Sequence, residues 1–324
     1  MPHFSKWQSL PTEAINPSSM DLDQLSAGQL VDLMLAEDRK MLAAVQREHE
    51  RVAVGVEMIA GALRKGGRIV FVGAGTSGRL GLLESTEMPL TFSTDPTLVQ
   101  AIIAGGRTAA FSNKEGVEDH FDDGARAMTR LHPTRRDVVI GVSASGMTRF
   151  VRGALTRARQ AGARIIFVTC DPATELQTFV DLIIAPEVGA EVIAGSTRLK
   201  AGTATKLVLN MLTTGAMVRI GKTYGNLMVD VHTGSEKLRD RARRIVTTVT
   251  GLEYEAAEAL LKRAHWNVKA AIVMQKACLP YGKALTRLRQ AGDSMREAIG
   301  EEAAPCLQEL VGDTTGDAAQ RRKV

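Results

Sequence analysis

Three segments of this 324-residue chain combine glycines with hydroxyl side chains, a pattern that suits phosphate binding. They read GAGTSGR (73–79), SASGMT (143–148) and GSTRLKAGT (195–203), and each leads into a helical pattern. Backbone N–H groups at a helix start, beside hydroxyl groups, form a favourable site for an anion. The candidate ligands for a phosphate or for sugar hydroxyls are Gly75, Thr76, Ser77, Ser143, Ser145, Gly146, Thr148, Ser196 and Lys200.

The first segment also fits the GxGxxG pattern of dinucleotide sites. Such a site requires an acidic residue at the end of the second strand to bind ribose, and here that run ends Ala104-Gly-Gly-Arg107. A phosphate or sugar contact is therefore the favoured interpretation. A dinucleotide site and a plain strand-to-helix turn stay open for this segment, and helix capping stays open for the other two.

Two glutamates near these segments, Glu87 and Glu118, are candidates for chemistry. An acidic side chain on a helix is most often a solvated one, and the spacing does not separate Glu87 from Glu84. The six histidines show no HxH or HExxH spacing, and the chain has no Walker A pattern and no GxSxG elbow. We therefore expect no metal site and no cofactor.

The elements that position these residues are readable from the apolar pattern. Five short runs rich in Val and Ile predict buried strands, at 68–75, 97–106, 137–146, 163–172 and 180–189. Helical stretches between several of them predict an α/β fold with a doubly wound, five-stranded parallel sheet. In such a sheet, ligands bind outside the carboxyl ends of the strands, where all three segments lie.

Helical patterns flank the predicted sheet. Apolar residues recur every three or four positions from Asp21 to Arg64, with Ser26 as an N-cap, and a further helix is predicted from Thr197 to Ile220. The predicted organisation is an N-terminal arm (1–21), an α/β domain with N-terminal helices (22–235), a small helical domain (236–300) and a polar C-terminal tail (301–324).

Composition narrows the function further. The formal net charge is only +5 and aromatic residues make up 4%, which argues against a nucleic-acid partner. No stretch of about 18 apolar residues predicts a membrane span, and the N-terminus lacks the apolar region of a signal peptide. Three widely spaced cysteines, Cys170, Cys278 and Cys306, form no disulfide-rich framework. A cytoplasmic location is therefore expected.

Longer stretches of the chain are similar to a known family. GAGTSGRLGLLESTEMP, AGSTRLKAGTATKLVLNMLTTGAM and YGNLMVDV together resemble the N-acetylmuramic acid 6-phosphate etherases, over roughly residues 20 to 300. This family belongs to the sugar isomerase (SIS) superfamily, whose doubly wound domain binds phosphosugars. The resemblance implies a homodimer with sites near the subunit boundary.

The resemblance also implies an activity. The family are lyases of amino-sugar catabolism and peptidoglycan recycling, which remove the D-lactyl ether from carbon 3 of N-acetylmuramic acid 6-phosphate. The route is β-elimination from the open-chain aldehyde followed by water addition, which gives N-acetylglucosamine 6-phosphate and D-lactate. Carried over by position, Glu87 would protonate the leaving oxygen and Glu118 would act at carbon 2, while the hydroxyls of the first two segments would hold the phosphate and sugar.

The sequence departs from the family pattern beside the predicted site. The family's ASGRTPYV becomes ASGMTRFV, with Met147, Arg149 and Phe150, and ECPPT becomes EMPLT. Two alternatives on the same fold stay open. An aldose–ketose phosphosugar isomerase would need a carbon-2 base but no acid for a carbon-3 oxygen, and a sugar-phosphate sensor would bind without turnover.

Overall fold

A computed structural model of the chain describes residues 10–112 and 114–300. Within this part, the chain divides into two compact units: the first holds residues 10–87 and 95–216, and the second holds 88–94 and 217–300. The domain boundaries given above stay predictions. The first nine residues of the predicted arm and the predicted C-terminal tail lie outside the described residues.

The first unit is built on a five-stranded sheet in which every neighbouring pair is parallel. The strand order is β2-β1-β3-β4-β5. The strands are β1 (Ile69–Gly73), β2 (Val99–Ile103), β3 (Val138–Val142), β4 (Arg164–Val168) and β5 (Leu182–Ile184). Each lies inside one of the five predicted runs, so the predicted α/β class and parallel sheet are confirmed.

Burial on both faces explains why these strands read as continuous apolar runs. On one face, Val70, Val139 and Ile165 pack with Leu155 and Ala158 of the helix after β3. Ile69, Phe71, Ile140 and Ile166, at alternate positions of the central strands, point to the opposite face and are also fully buried. The central strands therefore offer no solvated face to a polar side chain, and functional groups lie in the loops.

Six helices accompany the sheet. They are α1 (Ala27–Arg47), α2 (His49–Arg64), α3 (Gly75–Phe92), α4 (Phe121–Arg130), α5 (Arg149–Gln160) and α6 (Lys200–Arg219). Helix α1 begins with a capping box, in which the Ser26 hydroxyl accepts from the Gln29 backbone N–H and the Gln29 side chain accepts in return. The predicted N-cap and the predicted helical region before β1 are both present.

The second unit contains five helices: α7 (Glu236–Thr250), α8 (Tyr254–Arg263), α9 (Val268–Lys276), α10 (Tyr281–Gln290) and α11 (Met295–Ile299). Their apolar faces form one cluster around α9, in which Ala270, Ala271, Ile272 and Val273 are fully buried. A helix buried on nearly all sides occupies the centre of a bundle. None of the helices in the described ranges has the length and apolar character needed to cross a membrane.

Candidate active site

The three hydroxyl-bearing segments meet around one open cavity in the first unit, with a volume of about 330 Å³. This size suits a small ligand. The lining residues come from the ends of β1 and β3, the start of α6, the loop before α4 and the N-terminal segment. They are Glu13, Ala74, Gly75, Thr76, Ser77, Lys114, Glu115, Glu118, Ser143, Ala144, Ser145, Thr148, Thr197, Ala201, Gly202 and Thr205.

Two glycines allow α3 to begin directly after β1. A Cβ at Gly73 would lie 2.6 Å from the Gly78 backbone nitrogen, and a Cβ at Gly78 would lie 2.6 Å from a side-chain carbon of Ile103. Only glycine permits this approach of strand and helix. The turn brings the backbone and hydroxyl groups of Thr76 and Ser77, in the first turn of α3, to the cavity.

The second segment joins β3 to α5 and is held by its own hydroxyls. The Ser143 and Thr148 hydroxyl oxygens lie 2.7 Å apart in a hydrogen bond. Gly146 has a φ of +72°, and a Cβ there would lie 3.0 Å from the Thr174 hydroxyl oxygen. Ser143, Ser145 and Thr148 line the cavity, whereas Gly146 shapes the turn without lining it. Thr148 precedes α5 without capping it.

The third segment reaches the cavity through its later residues. Thr197 and Gly202 line it, and Thr205 of α6 does so just after the segment. A Cβ at Gly202 would lie 3.6 Å from the Thr76 methyl carbon, so the first and third segments are in close contact. Ser196 and Lys200 are absent from the lining. Their contact with a ligand stays a prediction.

Lys200 has a structural partner instead. Its ammonium donates to the Glu37 carboxylate at 2.6 Å, and both side chains are buried. The backbone N–H groups of Lys200 and Ala201 donate to the two carboxylate oxygens of Glu191, each at 3.0 Å. Burial raises the pKa of Glu191, against the lowering effect of these donors. The start of α6 is thus occupied by a carboxylate of the protein itself, which sets it apart from the starts of α3 and α5.

Of the two predicted catalytic glutamates, the cavity contains one. Glu118 lines it, on a short 3-10 turn just before α4. Arg79 of α3 helps to position the preceding segment, since its guanidinium donates to the backbone oxygens of Ala109 (3.0 Å), Ala110 (3.1 Å) and Ser112 (3.2 Å). The chain therefore presents Glu118 from a loop that is tied to the helix of the first segment.

Glu87 and Glu84 lie one turn apart on α3 and have opposite environments. Glu84 is 1% exposed, and its carboxylate accepts hydrogen bonds from Asn210 and Thr213 of α6. Glu87 is exposed and does not line the cavity. The structure of this chain therefore does not bring Glu87 and Glu118 together in one cavity, and the catalytic role of Glu87 stays a prediction.

Several lining residues were not singled out in the sequence. Glu13 falls in the predicted arm, Lys114 in a polar loop, and Thr205 one turn into α6. No local pattern distinguishes Glu13, because its position depends on packing between segments about 180 residues apart. Among the described residues, no group of three His, Cys, Asp or Glu side chains is arranged to hold a metal ion.

The three departures from the family pattern in and just after the second segment lie within two positions of Thr148, which lines the cavity. Phe150 is buried in the core formed by α5 and the sheet, while Met147 and Arg149 do not line the cavity. Arg149 is the first residue of α5 and its side chain is exposed. The lining hydroxyls of the second segment are thus independent of these three side chains.

Known proteins share both the sequence and the domain type. The model of the glucokinase regulatory protein N-terminal SIS domain matches residues 51–159, and the SIS domain model matches residues 116–215. The N-acetylmuramic acid 6-phosphate etherase of Trichormus variabilis is 49% identical over 290 residues, which cover 90% of this chain and 94% of the relative. The protein of the same name from Salinibacter ruber is 48% identical over 301 residues, covering 92% and 97%. A phosphoheptose isomerase structure from Francisella tularensis aligns with a TM-score of 0.46 at 18% identity, covering 61% of this chain and 98% of that chain.

Proposed function

Because the chain belongs to the N-acetylmuramic acid 6-phosphate etherase family, we propose that it cleaves the D-lactyl ether of N-acetylmuramic acid 6-phosphate. The products are N-acetylglucosamine 6-phosphate and D-lactate. One observation carries this proposal beyond the family relationship: two hydroxyl-bearing helix starts and a carboxylate, Glu118, line the same cavity.

The hydroxyl-bearing segments bind the phosphate and the sugar hydroxyls. Ser143, Ser145 and Thr148 stand before α5, and Thr76 and Ser77 stand in the first turn of α3. Backbone N–H groups at these helix starts attract an anion. The start of α6 is the poorest of the three for this purpose, since the Glu191 carboxylate already accepts its first N–H groups.

The reaction requires a base and an acid. The open-chain aldehyde acidifies the proton on carbon 2, and Glu118 takes that proton. The carbon-3 to oxygen bond then breaks, and the departing lactyl oxygen takes a proton, for which Glu87 is the candidate donor. Water adds to carbon 3 of the unsaturated aldehyde, and a proton returns to carbon 2. The sum is one water consumed for one ether bond cleaved.

A second copy of the chain would explain the position of Glu87. Helix α1 exposes Val31, Leu35 and Leu42, each more than half accessible, and spacings of four and seven residues put them on one helix face. An apolar stripe of this kind favours association with another chain. We propose a homodimer in which Glu87 of one protomer serves the cavity of its partner.

Release of D-lactate tests the reaction. Purified protein incubated with N-acetylmuramic acid 6-phosphate should release D-lactate, and in H2-18O the label should appear on carbon 3 of the sugar. Folded protein that releases no lactate would contradict the proposal. Turnover of a phosphosugar that survives Glu87→Gln unchanged would favour an aldose–ketose isomerase, and binding without turnover would favour a sensor.

Mixing two inactive variants tests the shared site. Glu87→Gln and Glu118→Gln chains, unfolded together and refolded, should recover about a quarter of wild-type activity if each site takes one glutamate from each protomer. No recovery would contradict the sharing, and light scattering of the wild-type protein reports the dimer itself. The cytoplasmic location stays our expectation, since free thiols such as Cys170 and Cys278 persist in a reducing compartment.

A further inference from the structure

Glu13, like Glu115, lines the same cavity as Glu118 and has no part in the chemistry described so far. The position of Glu13 is the more informative of the two. Glu13 lies on a short 3-10 turn, Pro11–Glu13, well before the first helix of the α/β unit. Its position raises the question of what Glu13 binds. A carboxylate beside an anionic ligand repels that ligand. A hydrogen bond from a donor on the ligand to the carboxylate offsets this repulsion.

The segment that carries Glu13 is anchored on both sides. The Thr12 backbone oxygen accepts a hydrogen bond from the Gly195 N–H at 3.2 Å, and Thr12 is 1% exposed. Three residues after Glu13, the Asn16 amide donates to the Glu37 carboxylate at 3.0 Å and to the Ala190 backbone oxygen at 3.3 Å. These bonds fix the backbone of Glu13 against the loop that leads into α6.

Gly195 makes room for the Glu13 carboxylate. A Cβ at position 195 would lie 3.0 Å from a carboxylate oxygen of Glu13, tighter than an ordinary contact, and φ at Gly195 is +74°, a region that favours glycine. The same residue thus donates its N–H to Thr12 and leaves space for the neighbouring side chain. The loop shape and the carboxylate position are coupled.

The Glu13 carboxylate receives no hydrogen bond from the described part of the chain. Among the residues that the structure describes, none donates a hydrogen bond or forms an ion pair to it, although the cavity has a cation in Lys114, whose ammonium donates to the Gly105 backbone oxygen. An ionised carboxylate only accepts hydrogen bonds. Glu13 is exposed on the open cavity, so water hydrates its carboxylate in the free protein. A ligand that displaces this water must supply a donor in its place, and the sugar of the proposed substrate carries such donors in its hydroxyls and its acetamido N–H.

We propose that Glu13 is a substrate-binding residue that accepts a hydrogen bond from an O–H or N–H donor on the sugar. This inference rests on the proposed function, since it takes an amino-sugar phosphate as the ligand. Glu13 selects and orients the sugar, whereas the hydroxyl-bearing segments bind the phosphate. The N-terminal segment is then part of the site.

Calorimetric titration with two probes tests this assignment. N-acetylglucosamine 6-phosphate should bind Glu13→Ala at least about tenfold more weakly than wild type, because a hydrogen bond to a charged group is lost. Inorganic phosphate should bind both proteins within about twofold, since it lacks the sugar donors. The matched control is Asp23→Asn, an exposed acidic residue on another 3-10 turn, outside the cavity, and it should change neither affinity.

Two further measurements separate binding from structure. Amide hydrogen exchange at Gly195 should be the same in Glu13→Ala and wild type, which shows that the segment stays anchored. In the lactate assay, KM should rise about tenfold or more while kcat falls less than about threefold, as expected for a group that binds substrate and transition state equally. Glu13→Gln, which keeps a carbonyl acceptor, should fall between Glu13→Ala and wild type.

Three results would overturn the inference: no loss of sugar-phosphate affinity, an equal loss for both probes, or no binding of the sugar phosphate by wild type. Titration needs no turnover, so the two proposals fail separately. Wild-type protein that binds N-acetylglucosamine 6-phosphate through Glu13 but releases no lactate would contradict the proposed function and leave the role of Glu13 intact.

Discussion

Two groups of carboxylates in the α/β unit have contrasting surroundings, those in the buried network between helices and those that line the open cavity. In the network, Glu84 of α3 accepts from three side chains of α6: Lys206 at 3.3 Å, Asn210 at 2.5 Å and Thr213 at 2.8 Å. In the cavity, Glu13 and Glu118 receive no hydrogen bond from the described residues.

This difference in hydrogen bonding distinguishes carboxylates that stabilise the fold from those that are available to a ligand. A buried polar group is costly unless its hydrogen bonds are made, so Glu84 and Glu37 are saturated by their own protein. A carboxylate on a cavity wall remains available to a substrate. Hydrogen bonding and burial thus distinguish Glu84 from Glu87, which sequence spacing does not.

The largest effect is expected at Glu118. Glu118→Gln should lower kcat/KM for lactate release by at least about 100-fold, since it removes the base for carbon 2. The free energy of unfolding should change by less than about 0.5 kcal/mol, because the described residues make no hydrogen bond to this side chain. The neighbouring Asp119→Asn is the control and should keep wild-type activity, since Asp119 is exposed and does not line the cavity.

An unchanged kcat/KM in Glu118→Gln would contradict the proposed role of Glu118 as the base for carbon 2. A large loss of unfolding free energy in Glu118→Gln would show that Glu118 stabilises the fold, as Glu84 does.

The next effect concerns stability and compares Glu84 with Glu87. Glu84→Ala should lower the free energy of unfolding by about 3 kcal/mol, because it leaves the buried donors on α6 without an acceptor. Glu87→Ala, one turn later on an exposed face, should lower it by less than about 0.5 kcal/mol. Urea unfolding followed by circular dichroism measures both free energies. Equal losses in the two variants would contradict the structural distinction between Glu84 and Glu87.

A pH effect is expected at Glu37. Burial alone would raise the pKa of Glu37, but hydrogen bonds from Lys200 and Lys40 outweigh it and lower the pKa from 4.5 to about 2. Ionised Glu37 therefore stabilises the fold above its unfolded pKa, and this contribution is lost as the pH falls from about 5 to 2. The stability difference between wild type and Glu37→Gln should shrink over that range.

Urea unfolding at several pH values measures this difference. Asp32→Asn, on an exposed position of the same helix, is the control and should change the free energy of unfolding by less than about 0.5 kcal/mol. A stability difference for Glu37→Gln that stays constant from neutral to acid pH would show that the Glu37–Lys200 pair does not act through its charge.

The sequence predicts local elements well and contacts between distant segments poorly. The sheet and the loops at its carboxyl edge follow from local patterns, since apolar runs, glycines and caps act within a few residues. Lys200 pairs with Glu37, and the position of Glu13 depends on the contact of its segment with Gly195; each of these contacts joins residues more than 150 positions apart in the chain. A spacing rule for phosphate loops therefore includes Lys200, although its ammonium belongs to the buried network, and passes over Glu13.

The smallest effect is expected at Ser143, which belongs to both regions. Its side chain is buried, it lines the cavity, and its hydroxyl bonds that of Thr148 at 2.7 Å. Ser143→Ala should cost about 1 kcal/mol of unfolding free energy and weaken inhibition of lactate release by inorganic phosphate by about threefold to tenfold. Ser112→Ala, an exposed hydroxyl outside the cavity, is the control and should change neither quantity measurably. A loss of stability alone would assign Ser143 to the structural network, and a loss of phosphate inhibition alone would assign it to the ligand. We expect both, because the residue whose hydroxyl bonds Thr148 before α5 also lines the cavity that we propose binds the anion.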